Sequence, residues 1–495
     1  MDRLQKRLEK LGGILEAAQA LNSERELTPL LHLILKSAAR VVGADRCSIF
    51  LIDKERGELW SKVAQGTSEI RFPIGKGIAG AVAQTGAAIN IADAYADPRF
   101  NQDVDKQTGY RTRSILTIPM RSLEGEVVGV LQALNKLDGA PFDAEDEELF
   151  LAFGGQAAAA VNNALLHQEI ERLFEGFVRA SVVAIEARDP STAGHSGRVA
   201  RLSVGLADVL PRAGGSAGRW KGFGLTFAER QELRYAALLH DFGKVGVREN
   251  VLVKANKLEP GELEVLRARF ETILVQEELN AERKRLALVR AGNVADLPAR
   301  LDEVDKGLAE RKRDIAAMLE FILGCNRPTV LPEGTFDRLG VIGQGAYASP
   351  FGGDRPFLSA GEILKLSVRK GSLTPEERRE IESHVSHTYR FLSQIPWTRA
   401  LKRVPDIAYG HHEKLTGGGY PRGLAAPEIP AQTRMMTISD IYDALTASDR
   451  PYKRAVPKEK AYDILKDEAK RGDVDGDLLT VFIESDVPGR APQEP

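Results

Sequence analysis

The sequence predicts a multidomain chain: an α+β domain first, then a connecting coiled-coil helix, then an all-α domain with an inserted helical hairpin. Three observations predict it. The 495 residues exceed what one hydrophobic core holds, so two or three domains are expected. Strand-type patterning is confined to residues 22–165, and from Glu186 onward the apolar spacing is helical throughout. Six of the eight histidines, His195, His240, His384, His387, His411 and His412, lie in that helical part.

The elements follow in order. Leu4, Leu8, Leu11, Leu15 and Ala18 recur in 4-3 steps, one narrow seam of an N-terminal helix over residues 1–21. A helix from Glu26 to Val42 precedes a strand from Arg46 to Ile52, and a second strand pair surrounds Gly57. Ile115–Met120 and Val127–Asn135 flank a turn at Glu124-Gly125, a hairpin signal. Asp143 to Asn163 is acidic at its start and alanine-rich after, as a helix should be. Leu166, Ile170, Leu173, Phe177, Ala180 and Ala184 continue in 4-3-4-3-4 spacing, a signalling helix over 166–185 with a dimer-type seam.

In the helical part, Thr226 and Glu229 form a capping box that opens a helix ending at His240-Asp241, with Gly243 as its stop. A second box at Thr374 and Glu377, with Pro375 at the first helical position, opens the helix carrying His384. Between them lie two long charged helical patterns, Glu262–Arg290 and Leu301–Leu323, and a Gly/Pro-rich segment, Pro328–Pro356. This reads as an insert over about 263–360 with an irregular return. The glycines at 340, 343 and 345 lack the strand-then-helix frame of a phosphate loop. Residues 486–495 read as a flexible tail.

Composition narrows the function. Hydrophobic content of 43%, charged content of 28% and a net charge of −2 describe a globular protein with no overall field drawing it to nucleic acid. Two cysteines, Cys47 and Cys325, suit a reducing cytoplasm better than a disulfide framework. No uninterrupted apolar run of membrane-spanning length stands out, so no membrane insertion is expected.

His240-Asp241 and the run from His411-His412 to Tyr420-Pro421 carry the chemistry. Each adjacent pair offers two ligands, and with His195, His384 and Asp440 they make a set for two divalent cations. Asp241, with two oxygens to share, is the natural bridge. His195, His240, Asp241 and Asp440 serve one side, and His384, His411 and His412 the other. Two adjacent cations make hydroxide available at neutral pH for attack on a phosphodiester. Lys244 is placed to stabilise the charge that develops, so Asp241 and Lys244 are the catalytic pair. Arg450 and Lys453 offer further phosphate contacts. Gly417 and Gly419 allow close approach of a substrate's phosphates, beside Tyr420. Taken singly, His384 or Asp440 is more often an ordinary helix residue; the ordered set outweighs that.

These motifs, Ala193-Gly-His195-Ser, His240-Asp-Phe-Gly-Lys244, His384, His411-His-Glu with Gly-Tyr-Pro421, Ser439-Asp440-Ile-Tyr-Asp443 and Asp449-Arg-Pro-Tyr-Lys453, make residues 186–485 resemble the HD-GYP group of metal-dependent phosphohydrolases. The resemblance implies an all-α domain with a centre of iron or manganese. It implies hydrolysis of cyclic di-GMP to linear pGpG and in some members to GMP, while others act on cyclic GMP-AMP. General HD phosphohydrolases act on other nucleotides, and degenerate members are silent receptors. A third metal in this group uses a glutamate close before the first histidine; here that position is Ser191, with Glu186 further back, so two metals are expected.

Residues 22–165 resemble a GAF sensor domain, nearest to those that bind cyclic nucleotides, through Asn135-Lys136 followed by Phe142, Asp146 and Glu147. The resemblance implies a bound cyclic mononucleotide, cAMP or cGMP. A Lys136–Asp146 pair could lock the loop over its pocket, or serve as a plain structural ion pair. The expected partners are a cyclic dinucleotide substrate and a second copy of the chain.

Overall fold

The computed structural model describes residues 2–61, 70–189, 193–292, 296–349, 351–447 and 455–490, with only the backbone for 2–11, 104, 107, 108 and 216. Two compact units result, 1–176 and 177–495.

In the first unit, α1 (Asp2–Ser23) and α2 (Leu27–Val42) lead into a six-stranded sheet. Its strands are β1 (Ala44–Asp53), β2 (Glu58–Ser61), β3 (Ile70–Pro73), β4 (Ile89–Ile91), β5 (Ile115–Arg121) and β6 (Val127–Lys136), ordered β3-β2-β1-β6-β5-β4. The pairs are antiparallel, as at Ile49 opposite Leu131 and Ile118 opposite Leu131. Between them come α3 (Gly77–Thr85) and α4 (Gln102–Thr108). Period-2 alternation places Leu116, Ile118, Leu131 and Ala133 in one cluster with Leu30, Leu31 and Ile34 of α2. A second cluster, of Leu59, Val82 and Val130, lies under α3. The packing stripe of α1 is Ile14, Ala18 and Leu21, and Leu15 of the expected seam is exposed. Ile14 and Leu21 pack with α2 in this cluster, and the side chains of Leu4, Leu8 and Leu11 lie outside the described residues.

The α5 helix runs without a break from Ala144 to Arg188. The expected divide at residue 165 therefore falls inside one helix, since no proline or cap interrupts it. Within α5, Leu149, Phe150, Phe153, Ala157 and Val161 join the sheet cluster. One stretch of α5, interrupted by Gln156, Asn162 and Asn163, is long and apolar enough to cross a membrane by length and composition, though half of it is buried in the fold. Leu166, Ile170 and Leu173 are exposed.

The second unit is helical. It comprises α6 (His195–Val209), α7 (Phe227–Leu239), α8 (Glu249–Leu252), α9 (Pro260–Arg290), α10 (Leu297–Asn326), α11 (Thr335–Gln344), a β7–β8 hairpin (Ala346–Ala348, Asp354–Pro356), α12 (Ala360–Leu366), α13 (Pro375–Glu382), α14 (His384–Leu392), α15 (Val404–Tyr409), α16 (Ala431–Thr446), α17 (Lys458–Lys470), α18 (Gly476–Glu484) and α19 (Val487–Arg490). Both capping boxes form, at Thr226–Glu229 and Thr374–Glu377, but the second opens α13, which ends at Glu382, and His384 begins the next helix, α14, rather than lying on the one the box opens. Buried Val199, Leu206, Leu233, Ala236, Met435, Ile438 and Phe482 lie on α6, α7, α16 and α18, helices in mutual contact.

Residues 258–366 carry a separate cluster, with Leu266, Phe270 and Ile273 of α9 against Ile315, Ile322, Leu339 and Leu366. The expected irregular return is instead α11 and a strand hairpin. Gly343 and Gly345 are there for packing: a Cβ would lie 2.4 Å from Ile363 and 2.7 Å from Phe357. The expected flexible tail begins as α19, with Val487 buried, and residues 491–495 lie outside the described residues.

Candidate metal centre

Five stretches converge in the second unit. His195 opens α6, His240 and Asp241 follow α7, His384 opens α14, His411 and His412 follow α15, and Asp440 sits within α16. The potential ligand atoms fall into three overlapping groups, each within 4.8 Å: His195, His240 and Asp241; His240, His411 and Asp440; His384, His411 and His412. All the expected ligands are thus brought together. Asp241 lies between the sides, Oδ1 3.3 Å from His384 Nε2 and Oδ2 3.5 Å from His240 Nε2. Asp440 Oδ1 is 3.2 Å from His195 Nε2.

The imidazoles are oriented from behind. His240 Nδ1 meets the Ala237 carbonyl at 2.8 Å, His411 Nδ1 the Ala408 carbonyl at 2.7 Å, and His384 Nδ1 the Ile381 carbonyl. A carbonyl only accepts, so each Nδ1 carries the proton and each Nε2 presents a lone pair to the centre. The Nε2 atoms of His240, His384 and His411 are buried without a hydrogen-bond partner. Three buried acceptor nitrogens left unmatched beside carboxylates are a costly arrangement without a cation, and they fit divalent metal ions.

Electrostatics follow this geometry. Burial pushes Asp241 up, but Lys244 and the surrounding imidazoles hold it well below the usual carboxylate range. Burial, reinforced by the other imidazoles, lowers His411 well below its usual value, and burial carries His412 down to about 4. Both therefore stand neutral, as ligands must. His195 behaves oppositely: burial would lower it, but Asp440 and Asp443 carry it up to about 9, a proton that a cation bound at Nε2 would displace.

Lys244 lies 2.8 Å from Asp241 Oδ2 and 3.3 Å from Asp189 Oδ2. Tyr420 packs on His412 with ring centres 4.8 Å apart. Arg450 and Lys453 lie outside the described residues, as does Ser191, while Glu186 accepts from the Gly194 amide at 2.8 Å. The glycine turn has reasons of its own. Gly417 takes φ +81°, and a Cβ on Gly419 would lie 2.3 Å from the Lys414 nitrogen. Its glycines let the turn close upon itself. Gly243 likewise is no left-handed helix stop. It presses against α14, where a Cβ would lie 1.9 Å from the His384 carbonyl oxygen.

Several supporting residues were given no role from the sequence, although Asp443 and Glu413 stand within the quoted motifs. Asp443 accepts from Arg198 Nε at 2.7 Å and lies 2.7 Å from His195 Nδ1. Its three-residue spacing from Asp440 on α16, which puts both on one face, was the available signal. Thr388 Oγ1 bridges the HD turn, donating to the His240 carbonyl and accepting from the Gly243 amide, both at 2.8 Å. Buried Glu413 accepts from the Arg422 and Leu424 amides at 2.7 and 2.9 Å, folding the Gly-Tyr-Pro turn.

In the first unit, Lys136 pairs with buried Asp146, which exchanges hydrogen bonds with Asp143 at the start of α5. Asn135, at φ 52°, accepts from the Arg113 and Ser114 amides, and Phe142 is buried. Glu147 is part-exposed on α5, its amide bonded to the Asp143 carbonyl. This set ties β6 to the root of α5.

Comparison with known proteins fits this layout. Residues 26–161 match the GAF domain, and residues 192–310 and 358–478 match two HD domain models. Among relatives, a probable 3',5'-cyclic phosphodiesterase (pde-5) of Caenorhabditis elegans is 39% identical over 153 residues, 28% of this chain and 21% of that protein. A dual 3',5'-cyclic-AMP and -GMP phosphodiesterase 11A of Takifugu rubripes is 39% identical over 169 residues, 31% of this chain and 18% of that protein. The chain thus spans about a fifth of the length of these curated relatives. Solved structures that resemble it include a GAF domain of a Coxiella burnetii phosphotransferase (25% identity, 33% of this chain and 98% of that one, TM-score 0.30). A GAF domain/HD domain protein of Geobacter sulfurreducens is also similar (14%, 30% and 98%, TM-score 0.25). By these matches the chain is a GAF domain fused to an HD domain.

Proposed function

We propose that the protein is a GAF-regulated, metal-dependent phosphodiesterase whose substrate is cyclic di-GMP, cleaved to linear pGpG and onward to GMP. The observation that carries the reading is the convergence of three buried, unmatched imidazole nitrogens beside Asp241 and Asp440, with Lys244 against Asp241. Two cations bound by His195, His240, Asp241, His384, His411, His412 and Asp440, iron or manganese by the likeness to HD-GYP domains, would supply a Lewis acid and an activated water. The chain's own contribution is positional. The i−3 carbonyls hold the imidazoles, Asp443 and Arg198 hold His195, and Lys244 offers its ammonium to a non-bridging phosphate oxygen. Tyr420, packed on His412, limits the space beside the centre.

The preference for a dinucleotide rests on the Gly-Tyr-Pro turn and its likeness to HD-GYP domains. The names of the relatives favour a second reading, hydrolysis of 3',5'-cyclic mononucleotides, but the matched lengths are those of one domain. Product analysis on anaerobic, iron- or manganese-loaded protein separates the two, with cyclic di-GMP, cyclic GMP-AMP, cAMP and cGMP offered in parallel. Linear pGpG from wild type and none from Asp241→Ala is expected. Turnover of mononucleotides alone overturns the dinucleotide assignment. Equal inertness of both proteins, with tight dinucleotide binding, makes the chain a receptor instead.

A cyclic mononucleotide held by the GAF domain would alter turnover through α5. A homodimer along α5 is supported by exposed Leu166, Ile170 and Leu173.

A further inference from the structure

We propose that Asp189 is a positioning residue for Lys244, and that through it the end of α5 sets where the ammonium stands at the centre. The inference rests on the hydrolase reading above and names how regulation would reach the reaction.

Asp189 directly follows the last residue of α5 and is almost wholly buried. It belongs to none of the clusters able to hold a metal among the described residues. Burying a carboxylate is costly unless a charge-assisted partner meets it. Its Oδ2 lies 3.3 Å from Lys244 Nζ, while the same ammonium is 2.8 Å from Asp241 Oδ2. A lysine ammonium has three N–H donors. One directed at Asp189 and one at Asp241 leave one for a phosphate oxygen. Once Asp241 commits its lone pairs to cations, Asp189 is the carboxylate left to hold the ammonium.

The neighbouring residue strengthens the grip. Arg188 donates to the Val247 carbonyl at 3.4 Å and pairs with Glu249 at 3.2 Å. The last residue of α5 and the one after it therefore clasp the Phe242–Gly246 turn, which carries Lys244, and the residues just beyond it. His240, His384 and His411 are held by their own carbonyls instead. A rotation or slide of α5 would then displace the lysine and leave the imidazoles in place. Regulation through α5 should change kcat more than metal content.

The test uses the full chain with metal bound, comparing wild type, Asp189→Asn, Lys244→Ala and the double variant. Two readouts apply: kcat and KM toward cyclic di-GMP, and calorimetric affinity for inorganic phosphate. Asp189→Asn should lower kcat tenfold or more with KM within twofold, weaken phosphate binding severalfold and keep the full complement of metal. Within the Lys244→Ala background it should change neither readout. Loss of metal, or an equal loss of phosphate affinity with and without Lys244, would overturn the proposal in favour of a plain structural role. If the wild type cleaves no cyclic dinucleotide, the hydrolase reading fails, while the phosphate arm still decides the role of Asp189.

Discussion

Asp443 shows how a side chain that touches no substrate can govern the centre. One carboxylate oxygen accepts from Arg198 Nε, and the other meets both Arg198 Nη2 and His195 Nδ1. The imidazole cannot turn without breaking a buried, charge-assisted contact. Partners of this kind contribute roughly 10–100-fold to metal affinity. Asp443→Asn should therefore weaken manganese binding by that order while leaving the helical circular dichroism unchanged; an unaltered titration would remove Asp443 from the site's support. Lys257 poses a different residue-scale problem. It is fully buried, and its ammonium donates to the Leu366 carbonyl at 3.2 Å, with no carboxylate paired to it among the described residues of the 258–366 cluster. Burial lowers its pKa from the ordinary 10.5. The unfolded chain then binds the proton more tightly than the folded one. Stability is penalised below the depressed folded value and rises with pH from there toward about 10.5. Urea midpoints between pH 7 and pH 10 should climb in the wild type, and that part of the climb should vanish in Lys257→Met.

At the scale of elements, the decisive contact is between the Phe242–Gly246 turn and α14. Gly243 lets the two backbones touch, and Thr388 ties them. Gly243→Ala would drive a Cβ into the His384 carbonyl, a backbone atom that cannot swing aside. The expected cost is about 1–3 kcal/mol or more, read as a lowered urea midpoint, together with weaker metal binding because His384 moves. A variant of unchanged midpoint and affinity would show that the turn tolerates separation. The same contact explains what was legible beforehand. His240-Asp241, His411-His412 and the two capping boxes announce themselves by adjacency or fixed spacing, and they mark the site and its helices directly. Glycines do not say which freedom they supply. Gly243 was read as a helix stop, yet it is a close contact with α14, distant in sequence, and Gly419 also packs against the backbone of its own turn. The domain divide placed at residue 165 leaves no mark on the helix itself for a related reason. Periodicity gives a helix's stripe only to within a residue or so, and its end only where a cap or proline stands, and α5 has neither between its sheet-facing half and its second half.

For the whole molecule, each unit carries hydrophobic clusters of its own, and the chain passes from the first unit to the second within α5. All the candidate metal ligands lie in the second, and the Lys136–Asp146 anchor lies in the first. A ligand that binds only the folded form stabilises it by RT ln(1 + [L]/Kd), about 2.7 kcal/mol at a hundredfold excess over Kd. That energy should appear only in the unit that holds the cation, provided the units unfold separately. Calorimetry of the chelator-treated full chain should accordingly give two transitions. Manganese should raise one of them by roughly 5 °C and leave the other in place. In Asp241→Ala the movable transition should no longer respond, and a cyclic mononucleotide seated in the GAF domain should shift the other one. Were manganese to raise both transitions together, the units would be thermodynamically one body, and control of the centre by the GAF domain could not be assigned to α5 alone.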